Sequence, residues 1–198
     1  MLTKIVLASN NPGKLKEFGE LLAPLGMALS PQSEFGVPEA EEPYLSFVEN
    51  ALAKARHASR MTGMPAMADD SGICVNALGG APGVQSAHYA GEPKSDARNN
   101  DKLIVDLASC ADKSASYYCV LVYVRHADDP QPVIAEGMWK GEIIAPPRGE
   151  NGFGYDPYFL IPSLGKTAAE LQPDEKNLLS HRGQALRALI AKLSNAAH

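Results

Sequence analysis

Cysteine and basic charge are both scarce in this chain. The three cysteines among its 198 residues, Cys74, Cys110 and Cys119, are widely spaced, form no CxxC and do not pair with histidine. That usage excludes a disulfide framework and a zinc site and suits the cytosol. Acidic residues outnumber basic ones, 23 to 18, for a formal net charge of −5, whereas a dedicated nucleic-acid binder is normally basic. A small anion gripped by a few local cations stays compatible with that balance. No stretch approaches the roughly 18 apolar residues of a membrane span, and Met1-Leu2-Thr3-Lys4 runs straight into a strand, with no signal peptide. The expectation is a cytoplasmic protein with neither a membrane nor a nucleic-acid partner. Internal repeats and low-complexity segments are absent. The length suits one domain, 1–198, or two lobes sharing a sheet.

What the chain does have is concentrated first at Pro65-Ala66-Met67-Ala68-Asp69-Asp70-Ser71-Gly72. A short apolar run bounded by proline and glycine reads as a buried strand, here ending in two adjacent carboxylates. Open α/β sheets place their ligands at the carboxyl ends of strands. Adjacent carboxylates repel and are costly to desolvate, so a partner must compensate them. A divalent metal is one solution, since Mg²⁺ takes one or two carboxylates plus waters and substrate phosphates. A strand-to-turn junction with Asp-Ser-Gly as turn residues is the other reading.

Around this stretch the chain alternates strand and helix. Ile5-Val6-Leu7-Ala8 reads as a doubly covered strand. Ser9-Asn10-Asn11-Pro12-Gly13-Lys14 then leads to a helix over 15–22. That turn offers amide, hydroxyl and lysine groups at a helix start, which suits an anion, although it is not a GxxxxGK[ST] loop. The acid-rich stretch Pro38-Glu39-Ala40-Glu41-Glu42-Pro43 precedes a capping box, Ser46-Phe47-Val48-Glu49. The helix it opens carries Lys54, with Phe47, Val48, Ala51, Leu52, Ala55 and Ala58 as its apolar face. Ser95 caps a further helix to about residue 108. Residues 117–125 and 133–139 read as an antiparallel strand pair. In Gly149-Glu150-Asn151-Gly152-Phe153-Gly154-Tyr155-Asp156-Pro157, glycines flank an aromatic and an acid, letting backbone and ring approach a flat ligand. Ser180 caps a last helix with Leu186, Leu189, Ile190 and Leu193 buried. This puts His181 and Arg182 in a first turn, where cations are disfavoured unless an anion or polar ligand faces them.

The blocks Ser9-Asn10-Asn11-Pro12-Gly13-Lys14, Ala68-Asp69-Asp70-Ser71-Gly72, Gly79-Gly80-Ala81-Pro82-Gly83, Gly152-Phe153-Gly154-Tyr155-Asp156-Pro157 and Ser180-His181-Arg182 occur in order along the whole chain. In this they resemble the signature blocks of the inosine/xanthosine triphosphate pyrophosphatases. The resemblance implies a two-lobed α/β fold with a long mixed sheet flanked by helices and the active site in the cleft between lobes. It implies a Mg²⁺-dependent homodimer that converts ITP, dITP and XTP to the monophosphate and pyrophosphate. It also implies roles for residues. Asp70 would be general base and metal ligand, with Asp69 beside it and Ser71 on the substrate. Lys14 and the Ser9–Gly13 turn would hold the triphosphate, helped by Lys54 and Lys176. Phe153 would stack on the base, with Gly154, Tyr155 and Asp156 in the same loop, and His181 and Arg182 would read the 6-oxo group. Glu42 is the expected second metal contact, with Glu41 its neighbouring alternative. The first block departs from the family's Thr-Gly-Asn: Asn10 replaces glycine, and asparagine tolerates a left-handed backbone better than most residues. A pyrophosphatase of related fold acting on other nucleotides, and a non-catalytic nucleotide-binding module, are the rival readings.

Overall fold

The structure, a computed structural model, describes residues 3–10 and 12–196, without the side chains of 12, 16, 17, 20, 21 and 196. Its strands are β1 (Thr3–Leu7), β2 (Met27–Pro31), β3 (Ala66–Val75), β4 (Ser114–Val124), β5 (Val133–Ile143), β6 (Phe159–Ile161) and β7 (Lys166–Thr167). Its helices are α1 (Pro12–Leu22), α2 (Phe47–Thr62), α3 (Asp96–Leu107), α4 (Pro173–Leu179) and α5 (His181–Ala196). Among the described residues the strands form one seven-stranded sheet in the order β2-β1-β3-β4-β5-β6-β7. β1 pairs in parallel with β2 and β3, whereas β6 pairs antiparallel with β5 and β7, so the sheet is mixed. Among the described residues no helix is long and apolar enough to cross a membrane.

The chain divides into two compact units. The first comprises residues 1–70, 120–136 and 185–198, the second 71–119 and 137–184. β3, β4 and β5 each continue from one unit into the other. In the first unit Ile5, Val6 and Leu7 are buried, as are Ala66, Met67 and Ala68, which explains why these three-residue segments of β1 and β3 are apolar throughout. Helix α2 begins at Ser46, whose side chain accepts from the Glu49 N–H, and it buries Phe47, Ala51, Ala55 and Ala58. Val48 and Leu52 are only half-buried. In α5, Ala185, Leu186, Leu189 and Leu193 are buried, and Ile190, expected with them, is half-buried.

The second unit has an aromatic core. The Phe159 ring centroid lies 4.6 Å from Tyr117 and 5.5 Å from Trp139, with tilted planes. Tilted pairs at these separations are the favourable aromatic geometry. Ile73, Val75, Leu103, Leu107, Ile143 and Leu171 complete the cluster. α3 starts at Ser95, whose side chain accepts from the Arg98 N–H, as its sequence predicts.

The sequence reads as a strand ending at the acid pair and another short strand over 73–78, whereas the structure joins them into one. β3 does not stop at Asp69-Asp70 but runs on through Ser71 and Gly72 to Val75. Gly72 is absent from the positive-φ glycines and the segment is extended. The reason is tertiary: Ile73 and Val75 are fully buried in the aromatic cluster, and the Ile73 N–H donates to Ser86 Oγ at 2.9 Å. Strands β2, β6 and β7 and helix α4 also have no counterpart in the sequence reading, being short and weakly patterned.

Gly141 of β5 shows how closely β5 and β6 approach. A Cβ there would overlap the Leu160 carbonyl oxygen and the Phe159 ring. Overpacking of this kind typically costs about 1–3 kcal/mol. Gly141→Ala is therefore expected to lower unfolding free energy by roughly that amount in urea titrations; an unchanged midpoint would mean that β6 yields freely.

Candidate functional site

The first unit assembles charge around β3. Strand β1 pairs with β3 only as far as Leu7 opposite Met67, and the Ala8 N–H still reaches the Met67 carbonyl at 2.8 Å. The next residues of β3, Ala68, Asp69 and Asp70, extend past that end. The acids thus sit beyond the carboxyl end of β1 rather than of their own strand, which still satisfies the placement rule for open sheets. Successive strand side chains diverge, and the two acids take different partners. Lys14 Nζ, in the first turn of α1, donates to both oxygens of Asp69 at 2.7 and 2.8 Å. A lysine at a helix start is disfavoured by the dipole, and this buried carboxylate offsets it.

Asp70 is met from α2. Lys54 Nζ lies 3.3 Å from Asp70 Oδ1 and 3.0 Å from Glu42 Oε2, so one ammonium joins two carboxylates. Asn50, one helical turn earlier, donates from Nδ2 to Asp70 Oδ2 at 3.3 Å. Burial pushes the Asp70 carboxyl up to about 6; Lys54 opposes that shift, and Glu42 adds to it. Burial works against the Lys54 charge, but Asp70, Glu42 and Asp69 outweigh it and hold the ammonium above its ordinary value. Ala8, Ser9, Asn10, Lys14, Gln32, Glu39, Glu42, Lys54 and Asp69 line one groove in this unit. Gly13, the second residue of α1, is not among these lining residues. Asn10 behaves differently from expectation. No described residue other than glycine has positive φ, and the Asn10 side chain accepts from the Ser33 N–H at 3.2 Å. Asn11 and the side chain of Pro12, both expected on the phosphates, lie outside the described residues.

The second unit holds the aromatic half. Ser71, Tyr117, Phe153, Gly154, Tyr155, Asp156, Lys176, His181 and Arg182 line one pocket, together with Ser86, Lys94 and Asp96. Phe153 is 61% exposed, with Lys176 Nζ 5.0 Å and the Arg182 guanidinium 5.5 Å from its ring centroid. Asp156, 3% exposed, is the hub beneath it. Its carboxylate accepts from the Phe153 N–H at 2.8 Å, Lys176 Nζ at 2.5 Å and Tyr117 Oη at 3.2 Å. Gly152, at φ +78°, leaves the space that this carboxylate and Lys176 occupy, and a Cβ there would overlap Asp156. Ser180 Oγ accepts from the Gly183 N–H at 3.2 Å, confirming it as the cap of α5. In that first turn His181 stacks on Tyr117, ring centroids 4.8 Å apart and 7° from parallel. Arg182 Nη2 donates to Ser71 Oγ at 3.1 Å. Tyr155 is buried and donates to the Ser86 carbonyl at 2.8 Å.

Lys176, expected to help hold the triphosphate, donates to Asp156 and lies over Phe153. Glu42 rather than Glu41 contacts the Asp70 partner Lys54. Residues absent from the sequence reading are Asn50, Tyr117, Lys94, Asp96 and Asn100. The available signal was a buried amide in a helix, four residues from a charged side chain, which recurs at Asn50/Lys54 and Asp96/Asn100.

A groove of acids and lysines suits a polyphosphate, and a ring flanked by cations suits a flat base with oxo groups. Carried on a mixed sheet with flanking helices, they define the class: an α/β protein built to handle a nucleotide. The chain belongs to the Ham1 family, whose model matches residues 5–192. It is 68% identical over 195 residues to a dITP/XTP pyrophosphatase of Ralstonia nicotianae, covering 97% of each chain. To the dITP/XTP pyrophosphatase of Chromobacterium violaceum it is 64% identical over 193 residues, 98% of each. Among solved structures it is similar to a HAM1 protein from Coxiella burnetii. That likeness has a TM-score of 0.95 and 52% identity, over 98% of this chain and 99% of that one.

In metal-free protein the Asp70 carboxyl is expected to titrate near pH 6, as read by carbon-detected NMR. Lys54→Met should move that midpoint upward, because the ammonium favours the carboxylate. A midpoint unchanged by Lys54→Met would separate Lys54 from Asp70.

Proposed function

We propose that this protein hydrolyses non-canonical purine nucleoside triphosphates, ITP, dITP and XTP, to the monophosphate and pyrophosphate, so removing deaminated purines from the nucleotide pool. The observation that carries this reading is the composition of β3. There Asp69 and Asp70, held by lysines, are followed directly by Ser71, held by the arginine that lies over Phe153.

Asp70 is the general base. A carboxyl pushed up to about 6 is mostly ionised at neutral pH yet basic enough to accept a proton from water, the condition for efficient base catalysis. The oxygen of that water attacks the α-phosphorus, the bond from phosphorus to the bridging oxygen breaks, and pyrophosphate leaves. Lys14, Lys54 and the Ser9–Gly13 turn hold the phosphate chain, with the N–H groups opening α1 favouring an anion. Asp69, anchored on Lys14, keeps that lysine in place.

The donors available for a metal are Asp70 and Glu42, both on Lys54; among the described residues no third His, Cys, Asp or Glu joins them. A pair of carboxylates suits Mg²⁺, which completes its shell with waters and substrate phosphates. The electrostatics agree, since Glu42 raises the Asp70 pKa, an excess of negative charge that a cation would relieve. When bound, the ion would neutralise the triphosphate and the departing pyrophosphate.

Phe153 stacks on the base, and His181 and Arg182 supply donors to a 6-oxo acceptor. Adenine would present an amino donor to the same groups. Leaving a buried polar group unpaired costs about 1–3 kcal/mol, so two such mismatches reject ATP by on the order of hundreds-fold or more.

Turnover with Mg²⁺ across ITP, dITP, XTP, ATP, GTP, CTP and UTP is expected to release pyrophosphate mainly from the first three. Orthophosphate release, or equal use of ATP, would contradict the cleavage point or the selectivity. Asp70→Asn should retain the fold by circular dichroism and lose nearly all turnover; near-normal rates would remove Asp70 as base. Arg182→Ala should reduce the ITP/ATP preference by roughly tenfold or more, and an unchanged ratio would take Arg182 out of base recognition.

A further inference from the structure

Phe153 is mostly exposed, so packing of its own ring does little to hold it, and its orientation is set through the main chain. Asp156 holds the N–H on its N-terminal side. On its C-terminal side the next peptide is held from α3. The Gly154 N–H donates to Asp96 Oδ2 at 2.9 Å, and the Gly154 carbonyl accepts from Asn100 Nδ2 at 2.9 Å. Gly154 has φ +63° with open space where a Cβ would stand, so on that side the two hydrogen bonds from α3, with the Asp156 N–H on the Phe153 carbonyl at 3.3 Å, hold the main chain.

We propose that Asp96 and Asn100 are positioning residues for base recognition, clamping both polar groups of Gly154 so that the Phe153 ring is presented in a fixed orientation. The inference rests on the purine-stacking role of Phe153 given above. The two residues lie four apart on α3 and share one helix face. Ser95 already caps that helix, accepting from the Arg98 N–H at 3.3 Å, which leaves the Asp96 carboxylate for the loop. Asn100 is 7% exposed, and its Oδ1 is buried without a hydrogen-bond partner among the described residues. Burying an amide is unfavourable unless its hydrogen bonds are made, so a helix that only packed here would be better served by leucine. The same helix holds the other wall of the pocket. Asn99 Nδ2 donates to the Ser86 and Ala87 carbonyls, and Asn99 Oδ1 accepts from the Ala90 N–H. Ser86 in turn accepts from Tyr155 Oη. α3 therefore sets both the Phe153–Tyr155 wall and the Ser86–Ala87 wall.

The test is ITP kinetics with Mg²⁺ in a double-mutant cycle of Asp96 and Phe153. Asp96→Ala is expected to raise KM for ITP roughly tenfold while kcat changes by less than about twofold. Asp96→Asn, which keeps an acceptor oxygen, should restore most of the loss. In a Phe153→Ala background, Asp96→Ala should have no further effect, because the clamp acts through the ring. Effects that multiply, an Asp96→Ala KM equal to wild type, or a loss confined to kcat would each overturn the proposal. Asn100→Ala, if it folds by thermal melting, should repeat the Asp96→Ala pattern, and a normal KM in a folded Asn100→Ala would equally overturn it. Wild-type protein that cleaves ITP while the variants fail to respond refutes the clamp alone, whereas wild-type protein inert toward ITP refutes the functional reading and the clamp with it.

Discussion

Two adjacent carboxylates on a buried strand must be compensated, and much of the first unit answers that constraint. Asp69 and Asp70 are both buried, and neither charge would survive there alone. α1 brings Lys14 to the first, and α2 brings Lys54 and Asn50 to the second. The compensation is unequal. Lys14 gives Asp69 two short hydrogen bonds, whereas Asp70 shares one lysine with Glu42, and burial, reinforced by Glu42 and opposed by Lys54, raises its pKa. Structural pairing and chemical poise are thereby divided between neighbouring residues. One acid anchors a helix start, and its neighbour keeps a raised proton affinity.

The second unit solves a different problem, that of holding an exposed ring still. Phe153 lies under two cations, but little of its surface is covered. Its order comes from polar groups below it. Asp156 gathers the Phe153 N–H, Lys176 and the Tyr117 hydroxyl, and α3 takes the next peptide. A ring fixed by its backbone stays open to a stacking partner, which a ring fixed by packing would not.

The elements that sequence patterning located well are those whose signal is local. β1, α2, α3, the strand pair β4 and β5, and α5 each have a cap, a period or a run of β-branched and aromatic residues, and the caps Ser46, Ser95 and Ser180 are all observed. Strands β2, β6 and β7 are short, and nothing in five or fewer residues distinguishes them from loop; they exist because a neighbouring edge pairs them. Gly72 misled for a related reason. Asp-Ser-Gly is turn-like locally, but the burial of Ile73 and Val75 keeps the chain extended.

By itself the sequence determined the chemistry available: the acid pair, the lysines, the aromatic–glycine loop and the basic helix start, since these are residue types at fixed spacings. It also determined the alternation of strand and helix and the family, because both are written in local order. Only the tertiary structure decided who pairs with whom. That Lys14 takes Asp69 while Lys54 takes Asp70, that Glu42 and not Glu41 shares Lys54, that Lys176 joins Phe153, and that α3 grips Gly154 are contacts across long stretches of chain. A hydrogen bond between residues far apart leaves no period in either segment, so such contacts are set by packing and become visible only in the fold.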